Sequence, residues 1–325
     1  MGENGKRYWI GFDLGGTKMF CVLFDHKFNP VATLRKKTKS EDGASEGVDR
    51  MVDMVEAVLD EARLDRKDLG GIGIGSPGPL DLDRGIILEA PNLGWKNVAI
   101  KDVFEKKFKV PVVVANDVDA GTFGEYRFGA AQKARCVLGV FPGTGIGGGC
   151  VYEGRLLRGR TGSCLEIGHI SIMQNGRLCG CGRRGCLETV ASRLAIAAEC
   201  AMAVYRGEAP ALQKLAGTDL AKIRSGIIAE SIRAGDKVIE RIVRQAAKHL
   251  GIGIGNVINI LAPDIVVLGG GLIEAMKDIF LPEVKAAVEK RAMASFAKSV
   301  EIVPAKLDDL ATAMGAAALA VEAAG

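Results

Sequence analysis

The 325-residue sequence predicts an α/β protein built as two similar lobes. Three observations carry the prediction. The chain is long enough for two compact cores of ordinary size. A strand–glycine turn–strand unit occurs near residues 11–24 and again near 137–152, each followed by mixed helices and strands, as in an internal duplication. Apolar residues make up 48% of the chain and charged residues 25%, the balance of a packed globular protein. No low-complexity linker separates the halves. The boundary is therefore expected inside the Asn116–Ala134 stretch, as a hinge rather than a tether. The lobes are taken as residues 1–117 plus 308–325 and residues 118–307.

The elements follow in order. "YWIGFDL" and "KMFCVLFD" alternate as strands across the tight turn Gly15-Gly16-Thr17, which reads as a β-hairpin. "VDRMVDMVEAVLDEARL" places apolar residues at helical spacing. "GGIGIGS" is a short strand ending at Pro77-Gly78-Pro79, and "VPVVVAND" is a β-branched run suited to a buried central strand. "VDAGTFGEYRFGAA" then reads as a helix with Asp117 near its start. "RCVLGVFPGTGIGGGCVYEGRLLRG" repeats the strand–turn–strand unit, and "RGCLETVASRLAIAAECAMAVY" reads as one helix. "DKVIERIVRQAAKHLGIGIGNVINIL" is a long helix, "PDIVVLGGGL" a strand entering a glycine loop, and "ATAMGAAALAVEA" a closing helix of small residues.

A net charge of +4, spread along the chain without a basic arm, gives no sign of nucleic-acid binding. No apolar run reaches the roughly 18 residues of a membrane span. The polar start "MGENGKRYWIGFD" does not read as a secretory signal, and Lys6 stands where a myristoylation motif after Met1-Gly2 wants Ser or Thr. Of eight cysteines, Cys21, Cys136, Cys150 and Cys200 sit in apolar stretches as small hydrophobes do, while Cys164 lies in a more polar loop. A reducing cytoplasmic setting is expected, with the clustered thiolates available to metal.

Three glycine-rich turns follow strands: Asp13-Leu14-Gly15-Gly16-Thr17-Lys18, Gly143-Thr144-Gly145 and Gly269-Gly270-Gly271. Glycine brings backbone N–H groups close to an anion. Singly, each is as well explained as an ordinary hairpin turn. "GIGSPG" and "GTGIGG" satisfy GxGxxG, yet neither is a dinucleotide fingerprint. Pro77 interrupts the first where a helix must begin, and the second runs on into a strand.

His169-x9-Cys179-x-Cys181-x4-Cys186 supplies one imidazole and three thiolates, a set that selects Zn²⁺ in a closed structural site. Four protein ligands leave no position for water, so this metal is expected to shape a loop and not to catalyse. Free thiols on an exposed loop are the alternative, and they would oxidise readily. Glu166 and Glu188 flank the ligands and are tied to the loop the metal fixes. His26 and His249 have no such company and read as surface or helix residues.

As a set, the three glycine turns resemble those of the actin, hexokinase and heat-shock ATPase superfamily. GHx9CxCGxxGCxE, headed by ExGH, resembles the signature of the ROK family of repressors and sugar kinases, over nearly the whole chain and most closely its glucokinase-like branch. The resemblance implies two ribonuclease-H-like lobes with a central cleft, the actin-like ATPase fold. It implies that Gly15, Gly16, Thr17 and Lys18 hold one side of an ATP triphosphate and Gly143, Thr144 and Gly145 the other. Gly269, Gly270 and Gly271 would lie against adenosine, and Asp13 would orient Mg²⁺ through water. Asp117 becomes the general base toward a hexose, with Asn116, Glu166, His169 and Glu188 on its hydroxyls and Gly78 and Asn92 lining the pocket. An Asn-Asp pair after a strand, taken by itself, is better read as a helix N-cap than as a base.

Phosphorylation of glucose at O6 is the expectation. N-acetylglucosamine, N-acetylmannosamine, mannose, fructose and allose remain as alternatives, and a homodimer or homotetramer is the implied assembly. The family's repressors carry a helix-turn-helix ahead of the kinase-like part. With a dozen residues before Asp13, that second reading is disfavoured. One departure stands out: where the family places small residues, often Ala-Gly, before the Glu of ExGH, this chain has Cys164-Leu165.

Overall fold

The computed structural model describes residues 7–160, 162 and 164–325. The readings at Met1-Gly2 and Lys6, and the Thr161 and Ser163 positions of the loop before Glu166, lie outside the described residues. The chain divides into two compact units, one of residues 1–133, 155–164 and 309–325, the other of residues 134–154 and 165–308.

The first unit begins with β1 (Tyr8–Leu14), β2 (Lys18–Phe24) and β3 (Pro30–Lys37), followed by helix α1 (Ala44–Glu61) and β4 (Leu69–Ser76). A small sheet of β5 (Leu80–Asp81), β6 (Ile86–Ala90) and β7 (Trp95–Val98) leads to α2 (Ile100–Phe108), β8 (Val112–Asn116) and α3 (Asp117–Arg127). The main sheet runs β3-β2-β1-β4-β8, antiparallel through the hairpin and parallel across β1, β4 and β8. Strand β4 is buried along its whole length, as a central strand covered on both faces must be. One face packs on α1 through Met51, Val55 and Val58.

The other face is covered by the C-terminal helix, Ala311–Ala324. Its small side chains have a purpose that composition alone does not disclose. A Cβ on Gly73 of β4 would lie 1.8 Å from the Ala316 carbonyl oxygen, and one on Gly315 would lie 1.8 Å from that of Ala120. Helix, sheet and α3 thus touch backbone to backbone. Thr312 Oγ1 donates to the Asp117 carbonyl at 3.3 Å, fixing the first turn of α3.

The second unit repeats the plan. Strands β9 (Cys136–Pro142) and β10 (Ile146–Tyr152) form its hairpin. After the Cys/His loop come α4 (Glu188–Ala191), α5 (Arg193–Tyr205), α6 (Pro210–Leu215), α7 (Ser225–Arg233) and α8 (Lys237–Leu261). Strand β11 (Ile265–Leu268), α9 (Gly271–Arg291), α10 (Ala294–Ser299) and β12 (Glu301–Pro304) complete it. Within this unit the strands run β10-β9-β11-β12, the same order of antiparallel hairpin and parallel partners as in the first unit. The core gathers Leu138, Val140, Ile254, Val266, Leu268 and Phe280 between sheet and helices.

Two expectations need correction. The stretch 184–205 is not one helix. Residues 184–187 belong to the Cys/His loop, and the helical remainder breaks at Ser192, whose backbone is extended at φ −75°, ψ 162°. Ser192 Oγ accepts from the Ala195 N–H at 3.2 Å and so starts α5 afresh. The third glycine loop is also shorter than expected, because Gly271 is already the first residue of α9 and Gly270, at φ 83°, precedes it.

Candidate active site

In the first unit, β1 carries Asp13 to the edge of the hairpin turn, and β8, separated from β1 by β4, ends at Asn116 and leads into Asp117 at the start of α3. Asn116 is the N-cap of α3: its Oδ1 accepts from the Val118 N–H at 2.9 Å and the Asp119 N–H at 3.2 Å. The capping role therefore falls to Asn116 and leaves its Nδ2 as the group able to donate outward. Asp117, one residue on, accepts its nearest bond from the Val118 N–H at 2.9 Å through Oδ1. Asn92 lies over the glycine turn, its Cβ 3.0 Å from where a Cβ on Gly16 would stand. Gly78 follows β4, two residues beyond Ser76, the partner of Asn116 in the sheet.

The turn itself is held from behind by a residue that sequence reading missed. Thr38, 1% exposed, donates through Oγ1 to the Gly15 carbonyl at 2.6 Å and through its N–H to the Thr17 carbonyl at 3.0 Å. The Arg50 guanidinium donates to the Thr38 carbonyl in turn. The Gly15 N–H is spent on the Lys18 carbonyl at 3.0 Å. Among the described residues, the Gly16 and Thr17 amides have no protein acceptor, so the turn presents two donors outward, as an anion-binding nest does. In "RKKTKSED", Thr38 looks like one polar residue in a solvated basic edge, and no local signal marks it.

Asp13 is pushed up to about 7 by burial first, then by the negative charges of Asp117 and Asp309, against the pull of Arg35. Arg35 is also bonded to Asp309 at 2.6 Å. A carboxylate this costly to ionise, with a second one beside it, suits a hard cation, which relieves both. The linkage has a definite sign. Between the unfolded value of 3.8 and the folded value of about 7, the folded state keeps a proton that the unfolded state has lost. Stability on this account falls as pH rises through that window, and the full cost applies above it. Asp13→Asn removes the cost. Without Mg²⁺, its stabilisation over the wild type should be larger at about pH 8 than at about pH 5 by on the order of 2 kcal/mol. Thermal melts at the two pH values check this; a pH-independent difference contradicts it.

In the second unit, the turn Gly143-Thr144-Gly145 closes with the Gly143 N–H donating to the Gly145 carbonyl at 2.8 Å. Glu188, the first residue of α4, reaches this turn: a Cβ on Gly145 would lie 2.8 Å from Glu188 Oε2. The other carboxylate oxygen, Oε1, accepts from the Cys179 thiol at 2.9 Å and lies 3.6 Å from His169 Nδ1. Glu188 thus spans from the glycine turn to the Cys/His cluster. Glu166 stands just before the short 3₁₀ turn Ile167–His169, and its carbonyl accepts from the His169 N–H at 2.9 Å. Gly269 packs on the Phe141 ring, so the third glycine loop leans on the end of the hairpin strand.

His169 Nδ1 and the sulfurs of Cys179, Cys181 and Cys186 all lie within 4.8 Å of one another. Tetrahedral zinc bonds of about 2.3 Å to sulfur and 2.05 Å to nitrogen require ligand separations of about 3.8 Å for S–S and 3.6 Å for S–N. The cluster shows 3.7 Å between Cys181 and Cys186 and 3.6 Å between Cys179 and His169. The donor set and its spacing fit zinc. The loop is wound by the Gly182 N–H to Cys179 carbonyl bond (2.9 Å) and the Cys179 N–H to Arg183 carbonyl bond (2.8 Å). The Arg183 amide holds the Cys181 thiol below its usual value, whereas burial and then Glu188 push Cys179 up. Ligation through Nδ1 leaves the Nε2 edge of His169 facing away from the cluster.

Leu165 adopts φ 56°, the left-handed region that favours glycine and costs other residues about 1–2 kcal/mol. The position where this chain departs from the family's small residue is therefore one where the backbone asks for one. The Leu165 side chain recovers part of that cost by packing on the second core. His26 is exposed after β2, and His249 lies half-buried on α8, its pKa lowered by burial. No described helix is long and apolar enough to cross a membrane.

Known proteins resemble this chain over nearly its whole length. The model of the ROK family matches residues 9–323. A glucokinase of Thermotoga maritima is 33% identical over 314 residues, covering 96% of this chain and 97% of that one. A xylose repressor of Caldicellulosiruptor bescii is 28% identical, covering 96% of this chain and 77% of the repressor. The crystal structure of a ROK family glucokinase from Streptomyces griseus, in complex with glucose and AMPPNP, superposes with a TM-score of 0.84 at 31% identity over 97% and 99% of the two chains. With the doubled hairpin-and-sheet plan, the glycine turns and the Cys/His loop all in place, this chain belongs to the ROK family.

Proposed function

We propose that the chain is an ATP-dependent hexose kinase that phosphorylates glucose at O6, with Asp117 as general base. The observation that carries this reading is the placement of Asp117: one residue after the Asn116 cap, with its carbonyl bonded by Thr312, and its charge close to that of Asp13, which leads into a glycine turn with outward amides. Asp117 accepts the proton of the attacking hydroxyl as that oxygen meets the γ-phosphorus in line. The amides of Gly16 and Thr17, and the Gly143-Thr144-Gly145 turn, take the charge that develops on the phosphoryl oxygens. Asp13 would orient Mg²⁺, which would supply positive charge to the phosphates when bound. Gly269 to Gly271 receive adenosine.

Asn116 Nδ2, Glu166, Glu188 and the Nε2 edge of His169 read the sugar hydroxyls. A zinc ion held by His169, Cys179, Cys181 and Cys186 would fix the loop on which these groups stand, and with all four positions filled it activates no water. Zinc would also take Cys179 as thiolate, which frees Glu188 Oε1 from the thiol proton it now accepts and leaves it for a hydroxyl. Metal and sugar recognition would then be coupled through one carboxylate.

The xylose repressors among the relatives raise a second reading, a sugar-responsive DNA-binding protein. A sensor needs the hydroxyl-reading loop alone. It has no use for the Asp13–Asp117 pair or for two glycine turns, and these favour the kinase. The test is ADP release over glucose, N-acetylglucosamine, N-acetylmannosamine, mannose, fructose and allose, compared by kcat/KM. Glucose should lead. Release independent of any sugar contradicts the proposal, and another hexose leading by tenfold or more reassigns the substrate.

A further inference from the structure

Arg193 and Arg224 have no part in sugar recognition or proton transfer as described above, yet Arg193 stands at the second glycine turn and Arg224 adjoins Ser225, which faces the third. Arg193 opens α5 directly after the Ser192 break. Its N–H donates to the Gly143 carbonyl at 2.8 Å and its Nη2 to Thr144 Oγ1 at 2.9 Å, so one residue grips the second turn with backbone and side chain together. Arg224 precedes α7, and its Nε donates to the Ala221 carbonyl at 3.2 Å. Its neighbour Ser225 faces the third glycine loop, with Oγ 3.8 Å from where a Cβ on Gly271 would be.

Among the described residues, neither guanidinium forms an ion pair with a carboxylate. Arg193 is half-buried, and burial and the Arg224 charge both work against its protonation. A guanidinium held at a glycine turn, repelled by a second one and paired with no carboxylate among the described residues, is relieved by an anion from outside. Arginine suits such an anion well, because it stays charged and its fork of donors matches phosphate oxygens.

We propose that Arg193 and Arg224 form a dibasic clamp on the phosphate chain of the nucleotide, Arg193 at the Gly143–Gly145 turn and Arg224 on the side toward Gly271. The proposal rests on the kinase reading. It adds to the backbone nest of the second unit a pair of fixed positive charges, and it makes the phosphates, not adenosine, the source of much of the nucleotide affinity.

Calorimetry on the full chain with ADP, tripolyphosphate and adenosine tests it, using R193Q, R224Q and R193K. Losing a hydrogen bond to a charged group is expected to weaken ADP and tripolyphosphate about tenfold or more in each Gln variant. Adenosine affinity and melting temperature should not move, since Gln keeps a donor for Thr144 and the backbone bond to Gly143 survives. R193K should recover part of the loss, and added salt should weaken the wild type more than R193Q. ADP and tripolyphosphate bound as tightly by R193Q and R224Q as by the wild type would overturn the clamp. So would a loss that extends equally to adenosine, which marks a structural role. Wild-type protein that binds neither ADP nor ATP overturns the kinase reading itself, a distinct outcome.

Discussion

Asp117→Asn should lower turnover by about 10² to 10⁴-fold, the range for removing a general base, while leaving sugar affinity close to that of the wild type. The bonds described at this turn survive the change. The helix cap is Asn116, the bond from the Val118 N–H can be accepted by an amide oxygen as well as by a carboxylate, and the Thr312 bond is to the backbone. What Asn cannot do is take a proton from the attacking hydroxyl. Stopped assays for kcat and calorimetry for sugar binding separate the two effects. Turnover near that of the wild type would refute the assignment.

Cys181→Ser should remove zinc and weaken two properties together. The wild type is expected to hold about one zinc per chain, because three thiols and an imidazole already lie within 4.8 Å of one another. The variant should melt earlier, since a structural metal contributes its binding free energy to the folded state. Its sugar affinity should fall about tenfold or more, as expected when hydrogen bonds to a charged group are lost with the displacement of Glu188 and His169. Metal analysis of freshly purified protein kept from chelators, with melts and sugar titrations of both forms, checks all three. Absence of zinc from the wild type, or a variant that loses stability and keeps sugar affinity, would contradict the coupling.

These two sites are readable from sequence because their parts are close along the chain. His169, Cys179, Cys181 and Cys186 fall within one loop, and a glycine turn between two strands declares itself locally. Asp117 is visible as a residue, but which of the two neighbours, Asn116 or Asp117, takes the cap is decided only by the geometry.

The residues that escape are those whose partners are far away in sequence. Thr38 meets Gly15 and Thr17 across the sheet edge, Asp309 reaches Arg35 from 274 positions away in sequence, and Arg193 grips a turn about fifty positions earlier. The break at Ser192 is hidden for a different reason: Leu, Ala, Glu and Met surround it, and local helix propensity has no means of reporting that Arg193 is needed at Gly143. The C-terminal helix shows the same limit. Its small residues are plain to read, whereas their function, letting the helix sit on Gly73 and brace α3 under Asp117, needs the folded chain.

The most direct test of phosphoryl transfer to a sugar alcohol is product analysis by mass spectrometry and phosphorus NMR after incubation with ATP, Mg²⁺ and glucose. A hexose 6-phosphate formed mole for mole with ADP by the wild type, and absent with Asp117→Asn, is the predicted result. ATP consumed at the same rate with and without sugar, and no phosphorylated sugar formed, would contradict it.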